Sequence, residues 1–70
     1  MLASYRDGDF IIKGYDNGDD WQLLDNKGNE RWFSVWTGNR LESLTKGFKS
    51  LVEFNGFDFD ENKFSHFKLD

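Results

Sequence analysis

The chain has 70 residues, no cysteine, no proline and a formal net charge of −4. At this length residues 1–70 form one small domain, and without cysteine the chain has neither disulfides nor thiolate metal sites. No stretch approaches the roughly eighteen apolar residues of a membrane span, and the first residues lack the apolar core of a signal peptide. We therefore expect a cytoplasmic protein with no membrane partner.

Aromatic residues make up 19% of the chain, with eight Phe, three Trp and two Tyr. Each ring can bury roughly 150–250 Å² of surface, so a few of them stabilise even a small domain. A small barrel cannot enclose all thirteen rings. We expect most of them in the core and some on a surface that meets a partner.

Turn residues divide the first half of the chain into three predicted strands. Asp7-Gly8 precedes a strand at residues 9–15, and Asn17-Gly18 separates it from a strand at 21–25. A turn at 26–29 leads to a third strand at 30–36. Alternation along this strand places Trp32, Ser34 and Trp36 on one face and Arg31, Phe33 and Val35 on the other.

The hydrophobic period then changes to that of a helix. Asn39 and Glu42 have the spacing of a capping box, and Leu41, Leu44 and Phe48 follow at helical intervals. Gly47 is a residue type that often ends a helix. We therefore predict a helix at 40–46, a fourth strand at 50–54 and a last strand at 63–69.

The predicted order is β-β-β-α-β-β, in a mainly β fold. Its topology resembles the oligonucleotide/oligosaccharide-binding (OB) fold and its size resembles SH3-like barrels. The segment 9–33, with an Asp-Asn-Lys-Gly turn between two hydrophobic strands, is similar to the small SH3-like proteins that phages encode. This resemblance implies a five-stranded SH3-like/OB-like barrel with one short helix. The alternative is an α+β fold with an open antiparallel sheet.

Catalytic and metal-binding patterns do not stand out in the sequence. His66 is the single histidine, and no sequence neighbour is nominated to orient it as a general base. The acidic turn around Asp16 and Asp20 does not match the twelve-residue calcium loop, and Asp58 with Asp60 is a weak candidate for glycosidase chemistry in so short a chain. We expect no enzyme activity, no metal site and no cofactor.

The charge distribution favours a binding function. Residues 31–50 have four basic residues and one acidic residue, together with aromatic residues that are candidates for an exposed surface. Both flanking segments are acidic. Trp and Arg are enriched at interface hot spots. The predicted binding residues are Arg31, Trp32, Trp36, Arg40, Asp58 and Asp60.

Three functions remain open from the sequence. The first is a non-catalytic protein-binding module, most concretely a small phage- or mobile-element-type inhibitor whose partner has a basic surface. The second is single-stranded nucleic-acid binding through the basic aromatic region around strand three, which the acidic total charge disfavours. The third is a structural or accessory domain with no dedicated site. A homodimer is compatible with all of them.

Overall fold

The computed structural model describes residues 2–17, 20–34 and 40–66, except for the side chain of Ser34. They form one antiparallel sheet, a helix and a short 3₁₀ turn at Glu61–Lys63. The strands are β1 (Ala3–Asp7), β2 (Phe10–Asp16), β3 (Asp20–Asp25), β4 (Glu30–Ser34) and β5 (Phe64–His66), and the helix is α1 (Arg40–Phe54). Their order across the sheet is β4-β3-β2-β1-β5.

Tight turns that use glycine connect β1 to β2 and β3 to β4. Asp7 pairs with Phe10 across the β1–β2 hairpin, and Gly8 lies in the turn with a φ of 63°. Gly28 has a φ of 89° in the turn between β3 and β4. Glycine adopts positive φ angles without the steric cost that a Cβ imposes, which explains its use at both turns.

The core lies between one face of the sheet and the helix. Alternate residues of β1 to β3 are buried, and the apolar residues of α1 recur at helical spacing along the side that packs on them. The largest fully buried side chains are Trp21, Tyr5, Phe48, Ile12, Leu23, Leu44, Leu51 and Val52. Residues 57–60 cover the rest of this face, where Phe57 stacks on Phe10 and Phe59 stacks on Tyr5.

The helix is longer than predicted, and the strand predicted at 50–54 is wrong. The helix begins at Arg40, as expected, but it continues through Gly47 to Phe54. Gly47 is buried where α1 approaches the sheet, and a Cβ there would lie 3.1 Å from Phe33 and 3.2 Å from Leu23. This glycine therefore permits close packing and does not end the helix.

The first strand was also missed, so the observed order is four strands, a helix and one strand. β1 pairs with both β2 and β5. β5 begins at Phe64, within the strand predicted at 63–69, and residues 67–70 lie outside the described part of the chain. Residues 35–39, which include Trp36 and the predicted cap Asn39, also lie outside it.

Over the described residues the sheet is not closed, so the predicted barrel is not confirmed. Among the described residues, β4 and β5 are the two edges and do not pair with each other. The alternative of an open antiparallel sheet with a helix matches the structure, and the SH3-like/OB-like closure does not. Within residues 2–17, 20–34 and 40–66, no helix combines the length and apolar character that a bilayer crossing requires.

Candidate binding surface

The face of the sheet opposite the helix is the candidate binding surface, and we call it the open face. Cross-strand partners share a face, and the register aligns Lys13 with Leu24 and Gln22 with both Tyr15 and Trp32. Its side chains are half-buried or exposed, whereas those of the alternate positions form the core. The central residues of the open face are Ile11, Lys13, Tyr15, Gln22, Leu24, Glu30 and Trp32.

Trp32 is the largest exposed ring on this face, with 52% of its surface accessible. Its indole Nε1 donates to Oε1 of Glu30 at 2.8 Å. Oε2 of Glu30 accepts from Nε2 of Gln22 at 3.2 Å, and Oε1 of Gln22 accepts from Nδ2 of Asn17 at 2.9 Å. This chain of hydrogen bonds links β4 to β3 and to Asn17, which follows β2, and it restrains the exposed indole.

A shallow depression of about 200 Å³ lies on the open face, lined by Ile11, Lys13, Leu24, Asp25 and Asn26. Asn26 fixes one wall of the depression. Its side-chain Oδ1 accepts from the backbone amide of Ile11, and its backbone amide donates to the carbonyl of Ile11. Small-molecule sites usually have volumes of roughly 300–1,000 Å³. The depression therefore suits one apolar side chain of a larger partner, with the Lys13 ammonium at its rim.

Arg31 and Trp32 lie on opposite faces of β4, as the alternation predicted. The guanidinium of Arg31 lies 4.3 Å from the centre of the Phe54 ring, on the side of the sheet that carries the helix. Phe54 is 60% exposed. Trp36 is the third hot-spot candidate of the strand predicted at 30–36, and it lies outside the described residues.

The contacts of Arg40 join the helix to the sheet. Its guanidinium forms a 2.7 Å ion pair with Asp16 and lies 4.8 Å from the ring of Trp21. The indole of Trp21 donates to Oγ of Ser43 at 3.1 Å. These contacts fasten the first turn of the helix to the ends of β2 and β3, far along the chain from Arg40.

Asp58 and Asp60 lie together at the opposite end of the sheet. The buried hydroxyl of Tyr5 donates to the carbonyl of Asp58 at 3.3 Å and accepts from the amide of Asp60 at 3.1 Å. Oδ1 of Asp60 also accepts from the amide of Asn62 at 2.9 Å, which caps the 3₁₀ turn. The Tyr5 hydroxyl thus holds this loop by the backbone groups of Asp58 and Asp60. The Asp58 side chain is exposed.

The same end carries further charges around a wide, open depression of about 670 Å³. Asp7, Asp58, Asp60 and Glu61 line it together with Lys63. The hydrogen bond from Lys63 to Asp7, 3.2 Å long, raises the pKa of the lysine. Among the described residues, no group of three or more His, Asp or Glu side chains has a geometry that could hold a metal ion.

Asp25 is a buried acceptor that the sequence analysis missed. Its carboxylate accepts from the amides of Lys27 and Asn29 at 2.9 Å each, from Nδ2 of Asn29 at 2.8 Å and from Nδ2 of Asn55 at 3.0 Å. Burial raises its pKa, but the hydrogen bonds from Asn29, Lys27 and Asn55 together hold the pKa below its ordinary value. An aspartate at the start of a turn was the available signal, because Asp often accepts from amides that follow it.

Comparisons with protein-family models, with curated proteins and with solved structures find no match to this chain.

Proposed function

We propose that the protein is a non-catalytic protein-binding module of the cytoplasm, and that the open face around Trp32 is its recognition surface. The observation that carries the proposal is the exposed Trp32 indole, held in place by its hydrogen bond to Glu30. A small inhibitor of the phage or mobile-element type is the most concrete form of this function.

The energetics support a role for this ring in association. A tryptophan about half exposed offers roughly 100 Å² for burial, which is worth about 2.5 kcal/mol at about 25 cal/mol per Å². Because the Glu30–Gln22 chain already restricts the indole, little further side-chain entropy is lost when a partner covers it. Tryptophan is among the residue types enriched at hot spots, and the depression on the same face can take one apolar side chain of the partner.

Electrostatics favour a partner with a basic surface. The chain carries a net charge of −4, and Asp7, Asp58, Asp60 and Glu61 are concentrated at one end of the sheet. Opposite charge on a partner would accelerate encounter and help to orient it, with a strong dependence on salt. Asp58 and Asp60 then act through this field, while Trp32 makes the direct contact.

Single-stranded nucleic acid is the second candidate ligand for the open face. Tyr15 and Trp32 both align with Gln22, so their rings stand two strands apart, about 10 Å, on one face. Aromatic rings on a sheet can stack bases, and Lys13 lies two residues before Tyr15 on the same face. The negative total charge and the carboxylate of Glu30 against Trp32 oppose the approach of a polyanion.

Affinity capture from a cell lysate tests the proposal. Wild-type chain, Trp32→Ala and Leu41→Ala serve as baits; Leu41 is the matched control because it is an exposed apolar residue on the helix. We expect the same protein to be recovered by the wild type and by Leu41→Ala, and to be lost with Trp32→Ala. Equal recovery by all three baits would contradict the assignment of the open face.

Fluorescence anisotropy with a labelled oligonucleotide separates the two ligand classes. We expect no measurable binding near physiological salt. Micromolar affinity that falls steeply with salt and is lost in Trp32→Ala would replace the protein-binding proposal with nucleic-acid binding. If no ligand of either class is found, the third candidate function, a structural or accessory domain, replaces the binding proposal.

A further inference from the structure

The outer edge of β4 presents backbone hydrogen-bonding groups. The amide of Asp25 donates to the carbonyl of Asn29 at 3.0 Å, which makes this pair a hydrogen-bonded pair of the β3–β4 ladder. Because such pairs alternate along antiparallel strands, the backbone groups of Arg31 and Phe33 point toward β3. Those of Glu30, Trp32 and Ser34 therefore point away from it, along the edge of the sheet.

Exposed aromatic rings lie on both sides of this edge. Trp32 is 52% exposed on the open face, and Phe54 is 60% exposed on the helix side, where the guanidinium of Arg31 stacks on it. They are the two most exposed large hydrophobic residues among those described. A strand added beside β4 would cover both rings and pair the outward amides at the same time.

We propose that the added strand is β4 of a second copy of this chain, antiparallel and with Trp32 of each copy opposite Trp32 of the other. In this register the outward backbone groups of Glu30 and Ser34 meet those of Ser34 and Glu30 of the second copy. Arg31 lies opposite Phe33 of the second copy, so no like charges are directly opposed. Shifting the register to centre on Arg31 would place two guanidinium groups opposite each other and leave Ser34 unpaired.

The resulting dimer joins the two sheets into one. A two-fold axis perpendicular to the sheet keeps both helices on one side and both open faces on the other. The two Trp32 rings then stand side by side at the centre of a doubled open face. This assembly goes beyond the proposed function, since it forms from the chain alone and needs no other partner.

Analytical ultracentrifugation of the purified wild type tests the dimer. Between about 10 μM and about 1 mM, we expect the weight-average mass to rise from 8.3 kDa toward twice that value. Each copy carries a charge of −4, so added salt should strengthen association by screening the repulsion. A chain that stays monomeric at about 1 mM in high salt would overturn the proposal.

Hydrogen exchange tests the edge itself. The Trp32 amide should become more protected as the concentration rises, whereas the Phe33 amide, which faces β3, should be protected at every concentration. A Trp32 amide that exchanges at the same rate in dilute and concentrated samples would also overturn the proposal.

A charge-pair experiment tests the register. Trp32→Lys and Trp32→Glu each place like charges opposite each other in the dimer, so each variant alone should be monomeric. Their equimolar mixture should recover the dimer, because Lys then lies opposite Glu. Leu41→Lys, a charge introduced on the exposed side of the helix, should dimerise like the wild type.

The charge variants have outcomes that would contradict the register. Thermal melts must first show that both fold, which the exposure of Trp32 leads us to expect. A dimer that tolerates Trp32→Lys, or a mixture that stays monomeric, would overturn the pairing of β4 through Trp32. Capture of a foreign strand by a chain that never self-associates would do the same.

Discussion

Replacing Asp25 with asparagine puts an amide nitrogen at a site that supplies only hydrogen-bond donors. The carboxylate accepts from the amides of Lys27 and Asn29 through one oxygen, and from Nδ2 of Asn29 and Asn55 through the other. In Asp25→Asn the remaining oxygen can keep the two backbone amides. The new NH₂ group then faces the side-chain amides of Asn29 and Asn55, donor against donor.

The cost follows from how far the neighbours can adjust. Asn29 can turn its amide over to present an oxygen, but Asn55 cannot do so freely, because its Nδ2 also donates to the carbonyl of Leu51 at 2.9 Å. At least one half-buried donor therefore loses its partner, at a cost of about 1–3 kcal/mol. For a domain of this size, a loss of about 2 kcal/mol lowers the melting temperature by roughly 10 °C.

The pH dependence of the melting temperature identifies the carboxylate as the cause. The hydrogen bonds hold the folded-state pKa of Asp25 below its ordinary value of 3.8, which applies to the unfolded chain. Its stabilising contribution is therefore fully present above the unfolded pKa and is lost as the pH falls through the lower, folded pKa. The difference between wild type and Asp25→Asn should be constant near neutral pH and shrink below pH 3.8.

Circular dichroism melts of the two proteins from pH 7 down to about pH 2 measure this directly. Asp58→Asn is the control, because it makes the same change of charge at an exposed side chain. We expect the control to melt close to the wild type at pH 7. Equal melting of Asp25→Asn and wild type at pH 7, or a difference that grows in acid, would show that the carboxylate does not fasten this turn.

Four further substitutions test the core and the exposed face of β4, all by urea unfolding. Gly14→Ala should cost about 1–3 kcal/mol, because the new Cβ would lie 2.8 Å from Cε1 of Phe48, a buried ring with no free side to move into. Tyr5→Phe should cost about 1–2 kcal/mol, since it deletes a buried hydroxyl that makes two hydrogen bonds to backbone. Phe33→Ala should cost about 2–3 kcal/mol, since Phe33 packs against the core, whereas Trp32→Ala should cost less than about 1 kcal/mol.

The same urea titrations can contradict each of these expectations. An unchanged Gly14→Ala protein would mean that the helix does not pack as closely on β2 as the structure shows. A Tyr5→Phe protein of wild-type stability would mean that the tyrosine hydroxyl does not fasten the 57–60 loop. Equal losses for Trp32→Ala and Phe33→Ala would place both faces of β4 in a core.

Local sequence signals predicted the central strands well. The observed bounds of β2 and β3 agree with the predicted strands to within one residue at each end, and β4 begins where predicted, at Glu30. Turn residues and alternating hydrophobicity are properties of a few neighbouring residues, so they can be read without knowing the fold. The same alternation correctly placed Phe33 and Trp32 on opposite faces, of which the structure packs Phe33 against the core and exposes Trp32.

Features that depend on contacts between residues far apart in the sequence could not be predicted from local signals. β1 has only Ala3 and Tyr5 buried, and it becomes a strand by pairing with β2 and β5. Gly47 is locally ambiguous, since the same residue type ends helices and allows close helix packing. Leu51 and Val52 continued the helical spacing and could have resolved the ambiguity.

For the site residues too, the sequence held local signals but did not reveal contacts between residues far apart in the chain. Arg40 was predicted to bind a partner, but its carboxylate neighbour Asp16 lies 24 residues earlier in the chain. The position of Asp25 at the start of a turn was a local signal for its bonds from Lys27 and Asn29, whereas its bond from Asn55, 30 residues later, could not be seen in the sequence. Charge and residue type nominated Arg40 as a binding residue, and the tertiary structure shows its contacts with Asp16 and Trp21 within the fold.

The affinity of a captured partner for three forms of the chain tests the role of the open face most directly. Isothermal titration of the purified partner would compare wild type, Trp32→Ala and Leu41→Ala, at concentrations low enough to keep the chain monomeric. Loss of a hot-spot ring should weaken binding by about 10-fold or more in Trp32→Ala, with Leu41→Ala within about twofold of wild type. Equal affinities for Trp32→Ala and wild type would show that the partner is recognised elsewhere.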